Sequence, residues 1–364
     1  MDILSDYLLP FLIVLTVLVF VHELGHYLLA RWNGVRVEVF SIGFGPELFG
    51  WTDKAGTRWK FSLVPLGGYV KMFGDANAAS QPGEDTDQMS AEERAVAFPH
   101  KRLGQRAAIV AAGPIANFLF AIVILGGLFM LWGQPYTTPV IDEVRPDTAA
   151  AAAGLQSGDR IVAIEGSPVD RFQDVQRVVR LSPGEPLSIV VQRNGERLEL
   201  TATPTRTTID DSMGNEHTIG LLGVTSQGLE YKRHGPVRAV MAAGEETYNL
   251  TVGTLQAVGQ IIGGSRSAEE LGGPIRIAQM SGEVADAGAT NLIWFMAVLS
   301  INLGLINLFP VPMLDGGHLM FYAIEAVRGR PLGERAQEYG FRIGLALVLT
   351  LMLFVTWNDL AQLL

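Results

Sequence analysis

The residues best suited to chemistry stand near the start of the chain, where His22, Glu23 and His26 form the sequence H-E-L-G-H. On a helix, residues four positions apart project from one face, so the two imidazoles can bind one metal ion. Glu23 would stand beside that ion as a candidate general base. All three lie in an almost unbroken apolar stretch from Tyr7 to Ala30. Polar groups at membrane depth are costly without partners, which favours a functional role over imidazoles that merely bond to a neighbouring helix.

A third metal ligand is predicted far along the chain, where the third long apolar stretch ends in N-L-F-P-V-P-M-L-D-G-G-H. Prolines break a helix and paired glycines permit tight backbone turns, so this segment can bring a polar side chain inward. A zinc ion held by two histidines needs one more protein ligand and an open position for water. Asp315 supplies a suitable oxygen, and His318 is the alternative. The sequence therefore predicts one Zn²⁺ ion bound by His22, His26 and Asp315.

Four apolar stretches are long enough to cross a bilayer, which requires roughly 20 residues. The mean hydropathy of +0.26 also favours a membrane protein with one soluble domain over an ordinary soluble protein. Tryptophans stand at the ends of the stretches, where indole rings prefer the boundary between water and lipid. The stretches cover about residues 7 to 30, 107 to 132, 291 to 309 and 341 to 357, and the tryptophans are Trp32, Trp132, Trp294 and Trp357.

Basic residues predict the orientation of these spans. The connection from Arg31 to Arg106 is rich in arginine and lysine, whereas residues 1 to 6 contain neither. By the positive-inside rule, that connection is cytoplasmic and the N-terminus lies outside. Four spans then place the C-terminus and residues 133 to 290 outside as well. A cleaved signal peptide is less favoured, because no basic region precedes the apolar run and no small-residue cleavage pattern follows it.

The charge and the composition of the chain argue against nucleic-acid binding and exclude any chemistry that needs cysteine. A net charge of −10 offers no basic face to neutralise phosphates, so no nucleic-acid partner is expected. The chain has no cysteine, which rules out disulfides and thiolate metal sites.

After the first span, alternating residues predict a β-hairpin with strands near Val35–Phe40 and Arg58–Leu63 and a turn at Asp53–Gly56. Gly43 and Gly45 permit close backbone approach just before the turn. Such a hairpin beside the metal site could bind an extended peptide as an added strand, and a hairpin without that role is the alternative. Residues 75 to 95 are acidic and turn-rich, which predicts an exposed loop.

Residues 136 to 230 have the pattern of a compact β-rich domain with a helix near Phe172–Arg180 and a type I′ hairpin turn at Asn194–Gly195. The A-G-L-Q-S-G-D-R-I run resembles a PDZ domain of the circularly permuted type, which captures peptide ends, although a spacer domain without a ligand is the alternative. Residues 231 to 290 are predicted to form an amphipathic interfacial segment with a turn at Leu271–Ala278.

Taken together, H-E-L-G-H, G-P-I-A-N at residues 113 to 117, the PDZ-like domain and N-L-F-P-V-P-M-L-D-G-G are similar to the motifs of the site-2 protease family. The resemblance implies an intramembrane zinc metalloprotease in which Glu23 activates water. It also implies that Asn307 and Asn117 position substrate, and that residues 35 to 73, with Gly43 and Gly45, hold the peptide extended. The best-known form carries two PDZ domains, whereas one clear copy is present here.

The implied substrate is a single-span membrane protein, such as an anti-sigma factor, that has already been trimmed on its outer side. The implied location is the bacterial inner membrane. The termini and the PDZ-like domain would be periplasmic, and the active site would lie towards the cytoplasm. A metal transporter and a non-proteolytic PDZ scaffold are the alternatives, since polar residues within spans also build ion pathways.

The predicted fold is an α-helical membrane protein with four transmembrane helices, a membrane-associated β-hairpin region and one PDZ-like α+β domain. In chain order the predicted parts are the first span (1–32), the β region and acidic loop (33–105), the second span (106–133), the PDZ-like domain (136–230), the interfacial segment (231–290), the third span with its Asp315 motif (291–318), and a cytoplasmic loop with the fourth span (319–364).

Overall fold

The computed structural model describes residues 4–75, 89–210, 216–264 and 271–363, so most of the predicted acidic loop lies outside the described residues. The chain divides into two compact units. The first comprises Met1–Leu128, Val240–Gln256 and Ala268–Leu364, and the second comprises Phe129–Ala239 and Ala257–Ser267.

Helices make up most of the first unit, whereas most strands belong to the second. The helices are α1 (Leu9–Trp32), α2 (Ala91–Val96), α3 (Leu103–Leu131), α4 (Ala149–Ala152), α5 (Phe172–Leu181), α6 (Pro236–Ile262), α7 (Pro274–Asp286), α8 (Ala289–Asn307), α9 (Asp315–Arg328) and α10 (Glu334–Leu363). The strands are β1 (Val37–Thr52), β2 (Arg58–Met72), β3 (Gln134–Thr137), β4 (Glu143–Val144), β5 (Arg160–Ile164), β6 (Ser167–Pro168), β7 (Leu187–Arg193), β8 (Glu196–Ala202), β9 (Thr205–Asp210), β10 (Glu216–Leu221), β11 (Val224–Thr225) and β12 (Leu229–Lys232).

Four helices within the described ranges are long and apolar enough to cross a membrane, which confirms the predicted number. Their apolar side chains satisfy the length requirement of a bilayer, and their backbone groups are paired within each helix. The four segments are Asp6–Trp32, Leu103–Leu131, Ala289–Asn307 and Arg335–Ala361.

Helices α1 and α3 approach each other closely at Gly25. A β-carbon at this position would lie 2.8 Å from the carbonyl carbon of Ala112 and 2.8 Å from the Cβ of Ala116. Small residues let two helix backbones pack at short range within a membrane. The face of α1 that carries its two histidines is therefore pressed directly against α3.

Strands β1 and β2 form a hairpin that is longer than the alternating residues predicted and that folds back on itself. Glu47–Thr52 pairs antiparallel with Arg58–Ser62, whereas Val39–Ile42 pairs with both Arg58–Phe61 and Gly68–Lys71. The Asp53 carboxylate orders the turn by accepting hydrogen bonds from the backbone N–H groups of Ala55 and Thr57. It also accepts from the Tyr27 hydroxyl of α1 and from the Trp59 indole. Burial alone would raise the Asp53 pKa, but the bonds from Trp59 and from the two N–H groups hold the pKa below its usual value. The hairpin tip is thereby tied to α1.

The segment after α8 turns sharply before α9 begins at Asp315. Met313 has a φ of +90°, which is strained for a residue with a side chain and is typical of functional sites. A β-carbon at Gly317 would lie 2.6 Å from the Cα of Pro312, so only glycine fits there. Helix α8 ends at Asn307 and α9 begins at Asp315, so the helix break that the sequence predicted is confirmed.

Helix α7 replaces the turn that the sequence predicted at Leu271–Ala278. That prediction was wrong because Pro274 occupies the first turn of the helix, where a missing N–H costs nothing. Gly273 has no side chain to cap the helix. The Asp359 carboxylate of α10 does so by accepting from the backbone N–H groups of Gly273, Ile275 and Arg276 at 2.8 to 3.1 Å.

The second unit contains a four-stranded sheet in the order β6-β5-β7-β8 with α5 packed on its apolar face. Asn194 and Gly195 join β7 to β8 with φ values of +52° and +91°, as a type I′ turn requires. Asp159 is fully buried and its carboxylate accepts two hydrogen bonds of 2.7 Å from Arg193. The predicted helix near Phe172–Arg180 corresponds to α5.

Candidate metal centre

Helix α1 places His22 and His26 side by side, one turn apart, with both side chains buried. Their Nε2 atoms lie 3.2 Å from each other, and the rings meet edge to face with centroids 4.9 Å apart. Two imidazole nitrogens at this spacing point at one common position. The helical spacing therefore produces the paired donors that the sequence predicted.

Asp315 completes the group from the first turn of α9. Its Oδ2 lies 3.1 Å from Nε2 of His22 and 3.5 Å from Nε2 of His26. The three ligand atoms all lie within 4.8 Å of one another. A helix N-terminus favours a carboxylate, because the unpaired N–H groups there carry partial positive charge. His318 is not part of this group and its ring packs against Phe341, with centroids 5.3 Å apart.

The three side chains fit a zinc ion on two observations. Oδ2 of Asp315 is buried and has no hydrogen-bond partner among the described residues, despite its closeness to both imidazoles. A buried carboxylate oxygen without a partner is costly, and a cation at this position would satisfy it. Two imidazoles and one carboxylate also form a donor set of a catalytic zinc site, which leaves a fourth position open for water.

Glu23 stands next to the paired histidines and lines the same cavity, whose volume is about 200 Å³. Strand β2 crosses close to it, since a β-carbon at Gly68 would lie 3.2 Å from Cγ of Glu23. This strand therefore forms part of the wall of the cavity that holds the carboxylate and the candidate metal ligands. The cavity is lined by His22, Glu23, His26, Gly68, Tyr69, Val70, Met72, Val110, Asn307, Met313, Asp315 and His318.

Helix α3 contacts both histidines at their Nδ1 atoms. The Nδ1 of His26 lies 2.9 Å from the backbone carbonyl oxygen of Ile109, and the Nδ1 of His22 lies 3.2 Å from Nδ2 of Asn117. Gly113 stands between these two contacts and leaves room for both rings. The sequence placed Gly113 in the G-P-I-A-N motif without predicting its contact with the histidines, and it did not predict the Ile109 carbonyl, because every residue has a backbone carbonyl.

The residues that the resemblance assigned to substrate fall in different places. Asn307 lines the cavity, while its Nδ2 donates to the Leu303 carbonyl. Asn117 is fully buried beside His22 and is not part of the cavity wall. Gly43 and Gly45 both have a φ of +88° in β1 and also lie outside the cavity wall. Contact of these four residues with substrate stays a prediction.

The chain matches the model of peptidase family M50 over residues 10–351. A protein of Agrobacterium fabrum that carries the name zinc metalloprotease is 51% identical over 365 residues, which cover 99% of this chain and 97% of that protein. Metalloprotease MmpA of Caulobacter vibrioides is 40% identical, with 97% of this chain and 95% of that protein covered.

A more distant relative is the regulator of sigma-E protease RseP of Salmonella typhimurium. It is 35% identical over 457 aligned positions, with 98% of each chain covered, so the alignment is longer than the 364 residues of this chain. Among solved structures, the PDZ domain of an SdrC-like protein from Listeria innocua is 19% identical, with a TM-score of 0.20, and covers 27% of this chain and 99% of that domain.

Proposed function

This chain belongs to peptidase family M50, the site-2 proteases, and is a zinc metalloprotease; on that premise we propose that it cuts a single-span membrane protein inside the bilayer. Four helices apolar enough to span a membrane and the similarity to RseP support an inner-membrane location. The termini and the second unit would be periplasmic, with the metal centre towards the cytoplasm, by the distribution of basic residues.

The observation that carries the proposal is the meeting of His22, His26 and Asp315 beside Glu23 in one cavity. The three side chains would hold the zinc, which supplies a Lewis acid for water and for the scissile carbonyl. Glu23 would take a proton from the attacking water and pass it to the leaving nitrogen.

The hairpin of β1 and β2 would present the substrate. A peptide bond inside a helix is shielded by its own hydrogen bonds, so the substrate segment must unwind before it can be cut. Gly68, Tyr69 and Val70 of β2 line the cavity, and an unwound peptide that pairs with this strand would be held extended next to Glu23. Asn307, which also lines the cavity, would contact the same peptide.

Exposed apolar side chains in the middle and distal part of the hairpin favour a position in or against lipid. They would otherwise face water on a two-stranded sheet, where such a patch is costly. Phe49 stacks on Phe61 with centroids 5.8 Å apart, and Trp51 stacks on Trp59 at 6.0 Å. The exposed apolar residues of the hairpin are Phe44, Leu48, Phe49, Trp51, Phe61, Leu63 and Val64.

The substrate class that we propose is a membrane protein already trimmed on its periplasmic side, such as an anti-sigma factor, so that the reaction is a step of regulated intramembrane proteolysis. The RseP relative is named a regulator of sigma-E protease, which supports a role in the control of a sigma factor, and the trimmed anti-sigma factor is what the resemblance to site-2 proteases implies. The second unit would act as a PDZ-like domain that binds a peptide end. The best-known form of the family carries two PDZ domains, which could form a gate together. A single PDZ-like domain would not form such a gate.

The test is co-expression of the full chain with a tagged single-span substrate, followed by detection of the cut fragment. The wild type is expected to produce the fragment. Glu23→Gln, His22→Ala and Asp315→Ala are expected to abolish it while the protein level stays unchanged. Glu92→Gln, which changes an exposed glutamate of α2, is the matched control and is expected to cut normally. Cleavage by Glu23→Gln at the wild-type rate would contradict the assigned base.

Zinc content measured on the same preparations separates the alternatives. A wild type that binds zinc but never cuts a candidate substrate would favour a non-proteolytic scaffold. Zinc that crosses sealed vesicles containing the purified protein, without cleavage, would favour a transporter.

A further inference from the structure

Three residues of α3 form a stripe against the metal centre. Ile109, Gly113 and Asn117 are spaced by four positions and therefore share one helix face. The two ends of this stripe meet the Nδ1 atoms of His26 and His22, respectively. The Nε2 atoms of His22 and His26 lie 3.1 Å and 3.5 Å, respectively, from Oδ2 of Asp315. One side of each imidazole is thus available to a metal, and the other side is held by α3.

The proton on each imidazole determines what α3 must offer. A neutral histidine that binds zinc through Nε2 keeps its proton on Nδ1, and that proton needs an acceptor. For His26, the backbone carbonyl oxygen of Ile109 is an acceptor at 2.9 Å. For His22, the neighbouring group is the side-chain amide of Asn117, which offers either an acceptor or a donor.

The Asn117 amide is buried and incompletely bonded. Its Nδ2 faces Nδ1 of His22 at 3.2 Å, and its Oδ1 has no hydrogen-bond partner among the described residues. In this orientation the amide donates to an Nδ1 that carries no proton. A half turn about the Cβ–Cγ bond exchanges the two atoms and brings Oδ1, an acceptor, to Nδ1. The same side chain can therefore serve His22 in either tautomer.

We propose that Asn117 is a positioning residue whose Oδ1 accepts the Nδ1 proton of His22 and so keeps Nε2 free to bind zinc. The inference rests on the proposed function, because it requires His22 to be a zinc ligand. It accounts for an amide at a fully buried position where an apolar residue would pack without an unpaired polar atom. Asn117 would then act on the metal through His22 and not on the substrate.

The test is the dissociation constant of zinc, measured on purified full-length protein in detergent by competition with a coloured chelator. Asn117→Ala is expected to bind zinc about 10- to 100-fold more weakly, which is the usual effect of losing the partner of a ligating histidine. Asn117→Asp is expected to stay close to the wild type, because a carboxylate oxygen also accepts from Nδ1. A packing role predicts the reverse order, since aspartate would bury a charge.

Ser300→Ala is the matched control. The Ser300 hydroxyl donates to the backbone carbonyl of Asn117, so this change removes a buried polar group from the same place but leaves the amide intact. Its zinc affinity is expected to be unchanged. A second readout is the visible spectrum of the Co²⁺-loaded protein, which should change in Asn117→Ala and resemble the wild type in Asn117→Asp and Ser300→Ala.

Two results would overturn the proposal: unchanged zinc affinity in Asn117→Ala, or an equal loss in the alanine and aspartate variants. If Asn117→Ala does not fold, Asn117→Asp provides the test. A loss of zinc affinity above about tenfold in Asn117→Asp would contradict the acceptor role of residue 117. A wild type that binds zinc but cuts no substrate would refute the proposed function and leave this inference standing. Normal cleavage by a wild type whose Asn117→Ala variant binds zinc equally well would refute only this inference.

Discussion

Gly113 of α3 leaves the space that the His26 imidazole occupies. A β-carbon at this position would collide with Nε2 of His26 and would lie only 2.6 Å from its Cε1. It would also lie 2.9 Å from Cε1 of His22. The rings cannot avoid this contact by a shift of α1, because the backbones of α1 and α3 are already in close contact at Gly25. The absence of a side chain is therefore a condition for the two imidazoles to converge.

From this relationship we expect Gly113→Ala to displace at least one imidazole and to lower zinc affinity and cleavage together, by about 100-fold or more, as small misplacements at a catalytic site do. The measurement is zinc bound per chain in parallel with fragment formation. Gly127→Ala, on the same helix, is the control, because a β-carbon at Gly127 would meet no atom within 4 Å. Equal behaviour of the two variants would show that Gly113 does not shape the site.

Removal of the Asp359 carboxylate is expected to loosen the start of α7. Asp359→Ala would leave the backbone N–H groups of Gly273, Ile275 and Arg276 without their acceptor. We expect a loss of about 1 to 3 kcal/mol in the free energy of unfolding, as for other buried donors left unpaired. Amide hydrogen exchange at Gly273, Ile275 and Arg276 measures this loss of stability.

The control for that variant is Asp286→Ala, which removes an exposed carboxylate from the opposite end of the same helix. An acidic residue near a helix C-terminus is mildly unfavourable, so this change should not weaken α7. Faster exchange in both variants would mean that the capping contact is not what holds the helix start.

The Asp159–Arg193 pair is expected to make the second unit sensitive to acid. Burial would raise the Asp159 pKa, but hydrogen bonds from Arg193 and from the Gln156 N–H lower it. Because the pKa is lower in the folded state, the stabilisation is complete above the unfolded value of about 3.9 and is lost as the pH falls through the folded pKa. Hydrogen exchange in β5 and β7 of the full chain, followed from pH 7 downwards, measures this loss.

Asp159→Asn is expected to lower the stability of the second unit at pH 7 by about 1 to 3 kcal/mol and to flatten its acid dependence. Asp170→Asn, which changes an exposed carboxylate in the same unit, should leave both unchanged. If the stability of the second unit depends on acid as strongly in Asp159→Asn as in the wild type, a group other than Asp159 causes the acid sensitivity.

Zinc is expected to stabilise the first unit because its ligands come from α1 and α9. A ligand that binds only the folded state raises the free energy of unfolding. The increase grows with the logarithm of the ligand concentration divided by the dissociation constant. Chelation should therefore lower the Tm of the wild type and have no effect on Asp315→Ala. A Tm that does not respond to chelation in the wild type would argue against a bound ion.

The sequence predicted those features that local spacing or length determines. Paired imidazoles follow from a four-residue interval, the four apolar helices follow from their length, and the Asn194–Gly195 turn follows from the backbone freedom of its residues. Asp315 was predicted from chemistry, because a zinc site with two histidines lacks one ligand. These inferences needed no knowledge of how distant segments pack.

The remaining features depend on contacts between distant parts of the chain. Pro274 can end a helix or begin one, and the group that decides is the Asp359 carboxylate of α10. Gly113 has an equally good explanation in ordinary helix packing until His26 is placed against it. The acceptor for His26 is a backbone carbonyl, which every residue has, so no residue type could have indicated it.

X-ray absorption at the zinc edge, measured on purified full-length protein, tests the His22–His26–Asp315 metal centre directly. We expect one zinc ion per chain with two imidazole nitrogens at about 2.0 to 2.1 Å and oxygen in the remaining positions. Three imidazoles would mean that His318 has taken the place of Asp315. A protein without zinc, or zinc with fewer than two imidazoles, would contradict the metal centre altogether.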